Sequence, residues 1–333
     1  MKSRVTMRDV ASAVGVSPMT VSRAFRDDKT VSEDTRAKVR QIAKQLGYIY
    51  DSTATAFRTQ RSGFVAVTLP SVNNANFAET FRGMTTAFDQ SGMQVLLGAT
   101  NYRVEREEQL VRQLLARNPE ALVMTGGNHT DETRALVEAL TIPVIEMWDL
   151  PDAPLGNAIG FSNATAMGLV VDHLVETGRR RLAFVGASAG ADLRGAERRT
   201  GVVARAQALG LPEVRLLDAG PAPVSMRDGA ACIRNMRATL AEVDALVCVS
   251  DTVAFGALSE CRRQGISVPD DLAIPGFGQF DVGVVSEPQI TTVDVNARRI
   301  GELVAETLDQ LFAGQDVQAT IDLGAALVVG GTT

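Results

Sequence analysis

The first fifty residues carry hydrophobic positions at helical spacing. Thr6 is a good N-cap, and Val10, Ala13 and Val14 then fall at i, i+3 and i+4 before Gly15 breaks the backbone. Ser17 caps a second segment, PMTVSRAF, whose Pro18 sits at the first helical position, where a missing N–H costs nothing. Val21 and Ala24 face the first helix, and Met19, Thr20, Ser22 and Arg23 point away from it. A third helix from Glu33 to Leu46 gathers Val39, Ile42, Ala43 and Leu46 on one face. Two short helices joined by a Gly-containing turn form a helix-turn-helix, and the third closes a small all-α core.

From Phe64 the pattern changes. Short apolar runs (FVAVTLP, VLLGA, ALVMTG, PVIEMW, LAFVGA, VRLLDA, ALVCVS, LAIPGF) alternate with amphipathic stretches such as FAETFRGMTTAFDQSG and REEQLVRQLLARN. Strand and helix in alternation, with Gly or Pro at the joints, predict a parallel sheet covered on both faces. Eight or more such strands exceed one doubly wound sheet, so two Rossmann-like α/β subdomains are expected. Their ligand site falls at the carboxyl ends of the strands. Between the helical N-terminal segment and the α/β part, YDSTATAFRTQR reads as a linker with weak helix potential.

Charge divides the chain at the same place. Residues 1–61 hold twelve Lys and Arg against six Asp and Glu, and the rest hold twenty-one against thirty-three. Only the N-terminal segment suits a polyanion. Three cysteines (Cys232, Cys248, Cys261) without CxxC spacing argue against a disulfide framework and against a metal site, and no motif calls for a cofactor. The only histidines, His129 and His173, sit in no nucleophile elbow or HExxH context, so catalysis is not expected. No run of about 18 apolar residues predicts a membrane span. The N-terminal stretch lacks the apolar core of a signal peptide, so a cytoplasmic protein is expected, and a transport-type binding protein is disfavoured.

The outward face of the second helix offers Ser17, Thr20, Ser22 and Arg23. Hydroxyls and helix N-termini suit phosphate oxygens, and Arg suits guanine O6 and N7. Here TMRDVASAVGVSPMTVSRAF, followed by VSEDTRAKVRQIAKQLGYI, resembles the headpiece of the lactose-repressor family. The resemblance implies that Pro18, Met19 and Arg23 lie nearest base edges in the major groove of double-stranded operator DNA. It places Thr6, Ser17, Thr20, Ser22, Ser32 and Thr35 near phosphates. Phe57 occupies the position from which that family inserts a wedge into the minor groove. Tyr50 and Asp51 stand where the family has Pro-Asn.

The likeness runs along the whole chain and implies four parts. They are a headpiece at 1–49, a hinge at 50–61, a first sensor subdomain at 62–161 with 291–320, and a second at 162–290 with 321–333. Effector residues are then expected at strand ends. These are Pro70, Asn76, Phe77, Thr125, Glu146, Asp149 and Phe161, followed by Asn163, Arg198, Asp251 and Gln279. Arg198, followed by Gly201, matches the family's ligand-contacting arginine. Asp251, in VSDTVAFGA, either contacts the ligand or supports its loop. Gly278 stands where the family usually has Asp, which disfavours the commonest neutral sugars. The segments FAETFRG, IPVIEMWD and EPQITTV are similar to the gluconate-repressor branch. That branch implies a sugar-acid effector whose carboxylate meets Arg198 or Arg194, with Glu146, Asp149 and Asn163 serving the hydroxyls. The family's action implies a homodimer on a palindrome, released when effector turns the first subdomains. The chain closes on GGTT without a leucine-heptad tail, so a dimer rather than a coiled-coil tetramer is expected.

Overall fold

The computed structural model describes residues 5–26, 28–50, 62–89, 91–188, 190, 192–317 and 320–333. The chain divides into two compact units, Met1–Ser62 and Gly63–Thr333.

In the first unit, helices α1 (Met7–Val14), α2 (Pro18–Phe25) and α3 (Glu33–Leu46) follow the expected boundaries. Each begins at a hydroxyl cap. Thr6 forms a reciprocal box with Asp9, Ser17 accepts the Thr20 N–H, and Ser32 accepts that of Thr35. Such caps satisfy N–H groups that the helix itself leaves unpaired. Gly15 ends α1 at φ 80°, a left-handed conformation that glycine adopts without penalty. Val10, Val14, Val21, Ala24, Val31, Val39 and Ala43 form the core. Two expectations needed revision. Ala11, not Ala13, is the buried alanine of α1, because the face that meets α2 and α3 is centred one residue earlier. Leu46, at the last turn of α3, is 40% exposed.

The second unit contains a six-stranded sheet in the order β2-β1-β3-β4-β5-β10. Its strands are β1 (Phe64–Leu69), β2 (Gln94–Ala99), β3 (Ala121–Thr125), β4 (Val144–Trp148), β5 (Asn157–Gly160) and β10 (Thr320–Asp322), all parallel. Alternation along each strand sorts side chains to two faces. Val65, Val67, Val123, Ile145 and Met147 pack in one core with α4 (Ala75–Phe88) and α12 (Ala297–Phe312). Ala66, Leu122, Met124 and Val144 pack in another with α5 (Val104–Leu115) and α6 (Asp131–Glu138). Gly301 lets α12 approach α4 closely: a Cβ there would collide with the Thr80 carbonyl oxygen.

A second parallel sheet has the order β7-β6-β8, from β6 (Leu182–Gly186), β7 (Arg215–Asp218) and β8 (Ala245–Cys248). Helices α7 (Asn163–Glu176), α8 (Leu193–Ala208), α9 (Met226–Met236), α10 (Asp251–Gln264) and the short α11 (Asp281–Val284) accompany it. The LAIPGF run forms no regular strand but lies beside β8, bridging Ala245 at Ala273 and accepting the Leu246 and Cys248 N–H groups on the Ala273 and Pro275 carbonyls. Its remaining N–H groups reach the chain's last residues and the stretch before β9. Ile274 donates to Thr332 and Gly276 to Thr291. A two-stranded antiparallel ladder of β9 (Thr292–Asp294) and β11 (Ala326–Val328) completes the unit. The chain leaves the first sheet after β5, returns to it with α12 and β10, and leaves again for β11.

Candidate functional site

The headpiece presents α2 outward. Met19 is 59% exposed on that face. Ser17 and Pro18 are also exposed, and Thr20 shares a 2.9 Å hydroxyl contact with Ser17. Arg23 lies 3.9 Å from Asp28 with about half its side chain in solvent, a weak pairing that leaves the guanidinium accessible. Ser22 lies 3.4 Å from the Tyr50 hydroxyl, and the Tyr50 ring stacks on Phe25 with centroids 4.9 Å apart. Phe57 lies outside the described residues.

In the second unit, a cavity of about 420 Å³ opens between the two sheets. Four helices direct their N-termini into it. Asn74 caps α4, Asp192 caps α8, Ser225 caps α9, Ser250 caps α10, and all four caps line the cavity. Unpaired N–H groups and aligned peptide dipoles favour anions at such ends. Successive turns of α8 add Arg194 and Arg198, each laid against a phenylalanine. The Arg194 guanidinium carbon is 5.4 Å from the Phe77 ring centre, and that of Arg198 is 3.7 Å from Phe277. Cation–π contact of this kind holds a guanidinium while leaving donors at its edge.

The two arginines share one polar network. Arg198 Nε donates to Asn163 Oδ1 at 2.8 Å, and its Nη1 donates to the Val249 carbonyl at 3.1 Å. Asn163 Nδ2 donates to Asp149 Oδ1 at 3.3 Å, and Asp149 Oδ2 lies 3.7 Å from Arg194 Nη1. Burial lowers the Arg198 pKa to about 10, an effect that Asp192 partly opposes, and the side chain remains a cation at neutral pH. Burial raises the Asp149 pKa, and Arg194 and Arg198 counter the rise. Beneath these groups runs an aromatic chain. Trp148 meets Phe77 and Phe161 edge to face, and Phe161 leans on Phe277.

Residues 6–51 match the family described as bacterial regulatory proteins, lacI family, and residues 171–333 match the periplasmic binding protein-like domain. Over 331 residues the chain is 34% identical to the HTH-type transcriptional regulator GntR of Pseudomonas aeruginosa, covering 99% of this chain and 96% of that protein. The chain belongs to the lacI family of bacterial regulators. A LacI-family transcriptional regulator from Silicibacter pomeroyi superposes with a TM-score of 0.92 at 29% identity, covering 98% of this chain and 99% of that one. The lac repressor dimer bound to operator and the anti-inducer ONPF superposes at 0.84 with 25% identity, covering 99% of each chain. Among the described residues, no helix of this lacI-family regulator is long and apolar enough to cross a membrane.

The regulator brings only some of the expected effector residues to the cavity. Phe77 and Arg198 line it, and Asn163 and Asp149 stand directly behind the arginines. Pro70 and Thr125 line a smaller neighbouring cavity with Asp149 and Arg194. Phe161 lines another opening beside Asp149 and Glu197. Asn76 is buried beside Gly278, and Gln279 is exposed beside the cavity wall. Asp251 is fully buried and spends both oxygens on segments far along the chain, one on the Phe280 N–H at 2.7 Å and one on the Thr292 hydroxyl of β9 at 2.6 Å. Glu146 is placed apart from the cavity. It lies on the opposite face of the first sheet, where its oxygens meet His129 at 3.1 Å and the Leu155 N–H at 2.6 Å. The expected set left out Tyr102, Asp192, Ser225 and Ser250, all of which line the cavity. The signal for the last three was present as Asp or Ser immediately before a helix.

Proposed function

We propose that this lacI-family transcriptional regulator is a repressor that leaves its operator when a sugar acid of the gluconate type fills the cavity between its two α/β sheets. The observation that supports this most is the pair Arg194 and Arg198, set one helical turn apart among four helix N-termini. A carboxylate accepts two parallel hydrogen bonds from an arginine edge. The neighbouring Asp192, Asn74, Ser225 and Ser250 supply the mixed donors and acceptors that a row of hydroxyls needs.

On the DNA side, α2 enters the major groove of each half of a palindrome bound by a homodimer. Arg23 then supplies hydrogen-bonded readout of guanine, and Pro18 and Met19 give apolar contact, for instance to a thymine methyl. Thr6, Ser17, Thr20, Ser22, Ser32 and Thr35 face phosphates, and Phe57 is the minor-groove wedge.

Two measurements test the reading. The first follows thermal melting of the full chain with gluconate, gluconate 6-phosphate, ribose, galactose and a purine base. A ligand at a hundred times its Kd adds about 2.7 kcal/mol to stability. The second follows release of a palindrome selected from random DNA. Gluconate alone among the panel is expected to raise the melting temperature and to release the DNA. A shift only with ribose, galactose or the purine overturns the sugar-acid assignment, and tighter DNA binding with gluconate overturns the repressor-release mechanism.

A further inference from the structure

On the far side of β4 from the aromatic chain, His129 is buried between two glutamates. Its Nδ1 lies 2.6 Å from Glu107 Oε2 and its Nε2 lies 3.1 Å from Glu146 Oε1. The remaining carboxylate oxygens are also engaged. Glu107 Oε1 accepts the Thr68 hydroxyl at 3.2 Å, and Glu146 Oε2 accepts the Leu155 N–H. A neutral imidazole has one N–H, so one ring nitrogen would turn a lone pair toward a buried carboxylate. An imidazolium supplies a donor to each side. The cluster joins β1, α5, β4 and the loop after β3.

That loop leads directly to the cavity. Gly126, three residues before His129, lies so close to Asp149 and Arg194 that an added Cβ would sit 2.9 Å from Asp149 Oδ2 and 3.1 Å from Arg194 Nη1. The Gly127 backbone N–H also favours the charged form of the Asp149 carboxylate. Glu146 is on β4, three residues before Asp149, which follows that strand directly. One buried ring therefore ties down β4, which leads into Asp149, and the loop that packs against the Asp149–Arg194 pair.

We propose that His129, held as an imidazolium between Glu107 and Glu146, is a positioning residue for the effector cavity, fixing the Gly126–Gly127 loop against the end of β4 and so setting where Asp149 meets Arg194 and Asn163. The role of the cavity in this statement rests on the sugar-acid reading above. Burial works against a charged imidazole, but the hydrogen bonds it donates to Glu107 and Glu146 outweigh that cost and raise the His129 pKa to about 9. The charged groups facing His129 are Glu107 from α5 and Glu146 from β4. Farther out, Glu108 pairs with Arg112 and accepts from Thr130, and Arg134 of α6 donates to the Gly127 carbonyl.

The experiment uses the full chain, in which His129 is one of two histidines and Trp148 is the sole tryptophan. Nitrogen-15 spectra of the imidazoles, assigned with His129→Gln, are expected to show both His129 ring nitrogens protonated at pH 7.5. Trp148 emission, followed from pH 7 to 10, is expected to step near pH 9 in the wild type and to show no step in His129→Gln. Gluconate affinity is expected to fall at least tenfold in His129→Gln at pH 7.5, with DNA binding by the headpiece unchanged. Glu146→Gln, which keeps shape but halves the charge pairing, is expected to lower the pH of the Trp148 step. A neutral His129 at pH 7.5, or a Trp148 step that persists in His129→Gln, overturns the proposal. Failure of the wild type to bind gluconate overturns the sugar-acid reading, and the two spectroscopic readouts still decide the role of His129.

Discussion

Asn163 takes the Nε–H of Arg198 on its side-chain oxygen at 2.8 Å and, through the other end of the same amide, donates to Asp149. One amide thus links a charge that follows β4 of the first sheet to a charge on α8 beside the second. Asn163→Ala leaves both charges buried without their bridge. An unsatisfied buried polar group costs about 1–3 kcal/mol. The expected result is a lower melting temperature and gluconate binding weakened at least tenfold, read by calorimetry. Unchanged affinity would show that the bridge is independent of the cavity.

Arg198→Lys tests the flat guanidinium over Phe277. An ammonium keeps the charge but loses the planar stack and the paired donors. Gluconate affinity is expected to fall about ten- to a hundredfold, and operator affinity without effector is expected to stay within twofold. Titration calorimetry and DNA-binding anisotropy on the same preparation separate the two.

Arg23→Ala tests base reading. Loss of a bidentate arginine–guanine contact costs about 1–3 kcal/mol and relaxes preference at one base pair. The check is a binding series over operators substituted at each position. A uniform loss at every position, with a shallower salt dependence, would instead assign Arg23 to phosphate.

Asp251 gives a pH dependence of defined sign. Burial raises its pKa from 3.8 to about 6, against the pull of Thr292 and Phe280. A group whose pKa rises on folding holds its proton more tightly in the native state. Its contribution is fully present below about pH 3.8 and is lost as pH climbs through about 6. Wild-type melting is expected to carry this downward component between those values, and Asp251→Asn is expected to lack it. Parallel melting curves of the two proteins across that range would refute the assignment.

Much of the fold was legible because the apolar runs of β1, β3, β6 and β8 are buried on both faces, and each reads as a block. Four-residue β5, NAIG, gave no such block, and LAIPGF looked like a strand although only its carbonyls pair with β8 while Ile274 and Gly276 donate to other segments. The site was less legible, for a reason of parity. Glu146 was expected in the cavity from its place near a strand end. Within β4, however, it shares a face with Val144, opposite Ile145 and Met147, and that face packs on α5 and α6. Trp148 then takes a left-handed φ of 81°, which ends the alternation, and its ring joins Ile145 and Met147 in the core that holds Phe77 and Phe161. Period-two reasoning places Glu146 correctly, but no local pattern announces the turn at Trp148.

Arg194 and Arg198 occupy consecutive turns of one helix, yet their phenylalanine partners belong to different parts of the sensor: Phe77 to α4 beside the first sheet, Phe277 to the loop beside the second. Of the two, Arg194 alone reaches across to the other half, so the arginine proposed to meet the ligand also rivets the halves together. Exchanging it to accept a new inducer is expected to alter the resting set-point of the switch along with its chemical taste. In breeding biosensors from this scaffold, selectivity and leakiness are not expected to be adjustable one at a time through Arg194, whereas Arg198 offers the freer handle.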